Sequence, residues 1–276
     1  MPSDVSCTLI STPDERDEAI RFLAARGTLA NAMLIRDLCA TTDGTQGERK
    51  IAVCRRGRSV AGVASMPDRG GAVPDEFWDW PVYLDAVDRE SAAVLVGVLP
   101  TRVALAVWLN WPHLQGYFGR LPGATRRMHL LCFTVSPEDF RPVSSGQVRR
   151  LTKADAGLFA GSERQPPDDF LSSGNNAWGL VRNGRVVTSA VLRALIPGTA
   201  GLAQGVAAIC GLYTESVYRR QGLARGLVSH LTELVLGEGA APIYSATVEN
   251  IASQGVARGL GYRQYGEEIG YEWRGA

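Results

Sequence analysis

Twice along this chain a β-hairpin pattern recurs within the same order of elements, and that recurrence limits the fold more than any single motif. "RKIAVCRRGRSVAGVASM", from Arg49, reads as two apolar strands around a turn at Arg55 to Arg58, the alternation ending at Met66 before Pro67. "NAWGLVRNGRVVTSAVLRALI", from Asn176, repeats the arrangement, with Asn183-Gly184 supplying the positive φ angles of a tight hairpin turn. Upstream of each hairpin stand a short strand and an acidic-then-apolar helix, with starts at Thr12-Pro13 and Thr152. Downstream, each half continues strand, helix, strand, helix and a last strand. The interchange of strand and helix periods predicts an α/β architecture with a mixed sheet (α+β), one domain type in tandem. The linker is expected at Ser136 to Gln147, which collects Pro, Ser, Asp and Gly, dividing residues 1–140 from 146–276.

Two interiors of ordinary size are within reach of 276 residues, 45% of them hydrophobic and 21% charged. No apolar run approaches a bilayer span, and "MPSDVSCTLISTPDERDEA" has no basic flank before an apolar core, so a cytoplasmic protein without a membrane partner is expected. A net charge of +1 lacks the basic field of a nucleic-acid binder, which leaves a small molecule or a peptide as the expected partner. The five cysteines, Cys7, Cys39, Cys54, Cys132 and Cys210, form neither a knuckle nor a redox pair by spacing. His113, His129 and His230 do not cluster with them or with carboxylates, so no metal is expected. Oligomeric state stays open, a homodimer included.

The joint "TESVYRRQGLARGLVSHLTELV", from Thr214, points to a ligand. "GVAAICGLYT" before it is an apolar, β-prone run, and Leu223, Leu227, Leu231 and Leu234 after it make the stripe of a helix packed on a sheet. The first amides of a helix have no internal partner and sit at the positive end of its dipole, so such a joint attracts an anion, usually phosphate. Gly222 lets the backbone approach that anion, while Arg219, Arg220 and Gln221 add donors at the rim.

The string Arg219-x-x-Gly222-x-Ala224, between strand and helix, resembles the acyl-CoA-binding turn of the GCN5-related N-acetyltransferases (GNAT). "IYSATVENIASQGVARGLGYRQYG" is similar to a second element of that family, with Asn250, Ser253, Gly261 and Tyr262 at matching places. No Walker loop and no Gly-x-Gly-x-x-Gly turn competes with this assignment. The resemblance implies two tandem acyl-CoA N-acyltransferase folds. It also implies acetyl-CoA as cosubstrate, its pyrophosphate on the turn amides through Gly222, Leu223 and Ala224, and its pantetheine between two splayed strands ending at Thr214. The N–H of Leu212 or Tyr213 would then face the thioester carbonyl. In the first half, Asp85, Asp88 and Glu90 stand where the cradle should be, so that repeat is expected to be degenerate. "NAMLIRDLC", at Asn31, is similar to a helix of some tandem members.

The implied activity is direct transfer of an acetyl or other acyl group to an amine, which needs an oxyanion donor, a base, and stabilisation of the departing thiolate. The family's usual leaving-group tyrosine falls on Ala257, and the strand glutamate used by some members falls near Ala208. Ser253 is the remaining candidate for stabilising the sulfur. Glu163, Asp168, Asp169 and Glu215 are unranked candidates for a base. These departures keep an alternative open, a catalytically silent acyl-CoA sensor or scaffold. The aromatic "DEFWDWPVY", from Asp75, reads as packing between repeats or as an acceptor surface.

Overall fold

The structure is a computed structural model that describes residues 4–40, 49–67, 81–101, 103–144, 146–163, 170–171, 176–197, 202 and 204–275. The first half runs β1 (Val5–Leu9), α1 (Pro13–Gly27), α2 (Ala32–Ala40), β2 (Arg49–Arg56), β3 (Ser59–Pro67), β4 (Pro81–Ala86), α3 (Arg89–Val96), β5 (Ala104–Leu109), α4 (Pro112–Phe118) and β6 (Ala124–Thr134). The second runs β7 (Val148–Arg150), a 3-10 segment (Lys153–Phe159), β8 (Asn176–Arg182) and β9 (Arg185–Ile196). It continues with β10 (Val206–Thr214), a short 3-10 turn (Ser216–Tyr218), α5 (Leu223–Gly237), β11 (Ala241–Thr247), α6 (Ile251–Gly259) and β12 (Arg263–Arg274). The order of elements is thus repeated, with α2 extra in the first half.

Local signals account for most boundaries. Thr12 caps α1 in a reciprocal capping box with Glu15. Asn183 and Gly184 take φ of 51° and 69°, the left-handed pair that a two-residue hairpin demands. One expectation fails: the segment after Thr152 is 3-10, not α-helical.

Contacts divide the chain into two compact units, Met1–Leu130 with Gly266–Ala276, and Leu131–Tyr265. In the first, the strand order is β1-β2-β3-β4-β5-β12; β4 and β5 are parallel, and β12 joins β5 antiparallel, Ile269 opposite Leu109. In the second the order is β7-β8-β9-β10-β11-β6, and β10 and β11 are the parallel pair. Each unit therefore includes part of a strand from the other half of the sequence, β12 from Gly266 in the first and β6 from Leu131 in the second, whereas the sequence reading keeps 146–276 together. The core of the second unit is built on Phe133, Ile209, Leu227, Leu231, Tyr244 and Leu260. In α5, Leu223, Leu227 and Leu231 are buried as the stripe requires; Leu234 is half-buried and Val235 closes the row.

Candidate functional site

The site begins where two strands part. β10 and β11 pair only from Val206–Ile209 against Ala241–Tyr244, although β10 continues to Thr214 and β11 to Thr247. On its other edge β10 carries a bulge: pairing with β9 passes from Cys210–Val191 to Tyr213–Ser189, with Gly211 at φ 65°. The bulge bends the end of β10 away from β11 and leaves Gly211 and Leu212 outside both registers.

Beyond the strand the chain makes a left-handed turn of the nest type. Arg220 (φ 61°) and Gly222 (φ 78°) are both left-handed, and helical backbone follows at once. Such alternation turns successive peptide N–H groups to one side. For arginine that conformation costs about 1–2 kcal/mol, a strain of the kind that collects at functional turns. Gly222 is the N-cap of α5, and no side chain caps the helix in its place. A Cβ on Gly222 would meet nothing within 4 Å, so the nest opens on space rather than on protein.

That space is a cleft of about 530 Å³, within the range of small-molecule sites. Its strand wall is Leu212, Tyr213 and Thr214; its floor is the turn and first helical residues, Arg219, Arg220, Gly222, Leu223 and Ala224. α6 supplies the facing wall through Asn250 and Ser253. The sequence reading missed Tyr218, Arg225, Ala252 and Val256, which also line it. Of the expected cofactor contacts, only Gln221 is not on the wall. Its Oε1 accepts from Arg182 Nη1 at 3.2 Å, which directs it away.

Several side chains hold the walls. Arg219 Nε donates to the Thr214 carbonyl at 3.0 Å, and its guanidinium lies 5.8 Å from the Tyr213 ring centroid. Arg225 donates to the Gly259 carbonyl, joining α5 to α6. Asn250 caps α6, its Oδ1 accepting from the Ser253 N–H at 3.0 Å. Such a cap is worth about 1 kcal/mol. Gly261 has φ 92°, and a Cβ there would lie 2.0 Å from the Asp139 carbonyl oxygen, so this motif glycine is required by close approach of the backbone. Tyr262 is buried, with its hydroxyl on Thr232 Oγ1 at 2.7 Å.

The candidate bases have other work. Glu163 accepts from Tyr213 Oη at 2.9 Å, from the Ser216 N–H at 3.0 Å, and from the Ser216 hydroxyl. Those bonds, the Ser216 hydroxyl's foremost, hold its carboxyl below the usual range, which suits an anchor and not a base. Glu215 accepts from the Ser162 hydroxyl and the Glu163 N–H. Asp168, Asp169 and residues 75–80 of the aromatic stretch lie outside the described residues. Ala257 is fully buried, Ala208 lies half-buried in β10, and His230 packs against the Trp178 ring at 5.4 Å. One pairing was not foreseen: Tyr244 Oη lies 2.5 Å from Ser253 Oγ. Burial raises the Tyr244 pKa, and the serine hydroxyl opposes the rise. Among the described residues no group of His, Cys, Asp and Glu converges to hold a metal, and no helix is long and apolar enough to cross a membrane.

The first unit shows what replaces the nest. Asp88 caps α3, accepting from the Ser91 N–H at 2.9 Å, which lowers its pKa. A carboxylate of the protein thus occupies the corresponding helix start. Asp85 is buried on Arg26, with bonds of 2.9 and 2.8 Å, and on Asn31 at 3.0 Å, and Glu90 bonds Arg56 at 2.9 Å.

A strand that bulges, turns left-handed and enters an uncapped helix gives the second unit, an α/β domain, the backbone geometry from which anion sites are built. Residues 148–262 match the model of the acetyltransferase (GNAT) family, and that segment is a domain of this family, whose members transfer acyl groups from acyl-CoA. Among solved structures the chain is similar to a GCN5-related N-acetyltransferase from Sphaerobacter thermophilus (11% identity, TM-score 0.62, covering 100% of this chain and 98% of that one). It is also similar to a tandem GNAT protein from the clavulanic acid biosynthesis pathway (14%, 0.59, 99% and 99%) and to a Drosophila protein (14%, 0.63, 97% and 98%). At these identities the likeness is one of fold, and the tandem arrangement is part of it. Among curated proteins, none matches the chain.

Proposed function

We propose that the second unit is an N-acyltransferase that moves an acetyl or other acyl group from acyl-CoA to a small-molecule or peptide amine by direct attack. The observation that carries this reading is the uncapped, left-handed joint from Arg219 to Ala224 beside the parted strands. The amides of Gly222, Leu223 and Ala224 would hold the pyrophosphate, with Arg219 and Arg220 at the rim and Gln221 contributing only its backbone. Parted β10 and β11 would flank the pantetheine as far as Thr214. The N–H of Leu212 or of Tyr213 would face the thioester carbonyl as its charge develops, and Asn250 and Ser253 would close the opposite side. The thioester supplies an activated acyl group; the chain binds it, orients it and stabilises the departing sulfur. With Glu163 and Glu215 committed to anchoring, the amine would lose its proton to water, with Asp168 and Asp169 the remaining candidates to act through it. Residues 1–140 are, in this reading, a degenerate GNAT-like repeat, and the protein works in the cytoplasm without nucleic acid or metal.

Isothermal calorimetry with CoA tests the binding, and release of free thiol from acetyl-CoA with a panel of primary amines tests the transfer. A second reading is favoured by the buried Ala257, which leaves no side chain at the family's usual acid position. It makes the unit a silent acyl-CoA sensor, and it predicts CoA binding with no amine-dependent thiol release.

A further inference from the structure

Tyr244 and Ser253 form a closed pair with one proton too many. The two hydroxyls are 2.5 Å apart, and among the described residues neither makes another hydrogen bond. Tyr244 is only 2% exposed and is not on the cleft wall, whereas Ser253 is. The neighbouring Tyr262 hydroxyl gives Tyr244 no alternative. Thr232 Oγ1 donates to the Val228 carbonyl at 2.7 Å and so accepts from Tyr262, and the two tyrosine ring centroids stand 6.2 Å apart. If Ser253 donated to Tyr244, the phenolic proton would be buried with no acceptor, an expensive arrangement. The phenol therefore donates and the serine oxygen accepts.

The serine proton is then left over. A serine deep in a helix bonds the carbonyl four residues back. Ser253 is in the first turn of α6, where that residue, Glu249, precedes the cap, and the Glu249 carbonyl already accepts the Ile251 N–H at 3.0 Å. Its own N–H is on Asn250 Oδ1. No protein acceptor for the serine proton is found among the described residues, and Ser253 lines the cleft.

We propose that Tyr244 is a positioning residue: by donating to Ser253 Oγ it fixes the serine hydroxyl as a donor directed into the cleft, where it meets the sulfur of bound CoA. The inference rests on the acyl-CoA reading above. In the proposed transfer the amine nitrogen forms the new C–N bond, the C–S bond breaks with its electron pair on sulfur, and the amine's surplus proton passes to water. Ser253 keeps its proton and gives the thiolate a hydrogen bond, so the position left by Ala257 needs no acid.

The test needs no acceptor. CoA and desulfo-CoA, which lacks the thiol, are titrated into the full chain by calorimetry from pH 7 to pH 10, and the thiolate of bound CoA is followed by its ultraviolet absorbance. One charge-assisted bond lowers the bound thiol pKa by about 1 unit, so CoA gains roughly tenfold over desulfo-CoA as the pH passes through it. Ser253→Ala should abolish that gain. Tyr244→Phe, which keeps the ring and its packing, should remove most of it while leaving desulfo-CoA affinity unchanged. A wild-type gain that survives in Tyr244→Phe overturns the positioning role. Equal affinity of the wild type for the two ligands at every pH overturns the contact with sulfur while leaving CoA binding intact. Failure of the wild type to bind either ligand overturns the acyl-CoA reading itself.

Discussion

Replacing Gly222 by Asp and, in parallel, by Asn isolates the charge term at the nest. Both residues tolerate left-handed backbone better than other side chains do, so each pays a similar conformational cost of about 1 kcal/mol. Neither meets a steric barrier, since a Cβ at Gly222 has nothing within 4 Å. The two variants differ by one negative charge at the mouth of the cleft. At ~5 Å and an effective dielectric of about 60, that charge repels each phosphoryl charge by about 1 kcal/mol. Two phosphoryl groups therefore weaken CoA binding by about 2 kcal/mol, roughly thirtyfold in Kd. Calorimetry at low and high salt should show Asp weaker than Asn by that factor, the gap narrowing as salt screens it. Equal affinities for the Asp and Asn variants at low salt would refute the placement of the pyrophosphate.

Other consequences concern both units. Gly261→Ala should destabilise the second unit by roughly 2–4 kcal/mol in urea unfolding, because its Cβ would sit 2.0 Å from the Asp139 carbonyl oxygen. Asp88→Ala should cost about 0.5–2 kcal/mol of stability through the lost α3 cap yet leave CoA affinity unchanged, since the carboxylate serves the fold of the first unit. Burial pushes Glu268 up to about 7 from 4.5, with the Asn110 amide opposing. The folded chain thus holds a proton that the unfolded chain releases first, so stability falls as pH rises from about 4.5 through 7. Glu268→Gln should match wild type near pH 5 and exceed it at pH 8 by on the order of 2–3 kcal/mol, read from denaturant midpoints.

What the sequence made legible followed from local rules. Asn183-Gly184 can form only one kind of turn without strain, Thr12 with Glu15 is a cap by chemistry alone, and the leucine spacing of α5 fixes the face it buries. The cleft was legible for the same reason. The nest is a run of backbone whose conformation Gly222 announces, and Asn250 caps the helix it precedes. The contribution of β12 to the first unit and of the end of β6 to the second was not legible, because pairing between distant segments leaves no mark in either alone. The commitment of Glu163 was also hidden, since its partners Tyr213 and Ser216 stand some 50 residues away. Tyr244 is a core aromatic. Its second role depends on a hydroxyl on another element. Arg220 gave no sequence sign of its left-handed backbone, because arginine has no preference for it and the turn imposes it.

A crystal structure of the chain soaked with CoA tests the central claim most directly. The account predicts pyrophosphate oxygens within about 3 Å of the backbone nitrogens of Gly222, Leu223 and Ala224, with the thiol end between the parted strands near Ser253. Pyrophosphate bound elsewhere, or those nitrogens facing a protein side chain as the α3 amides face Asp88, would contradict it.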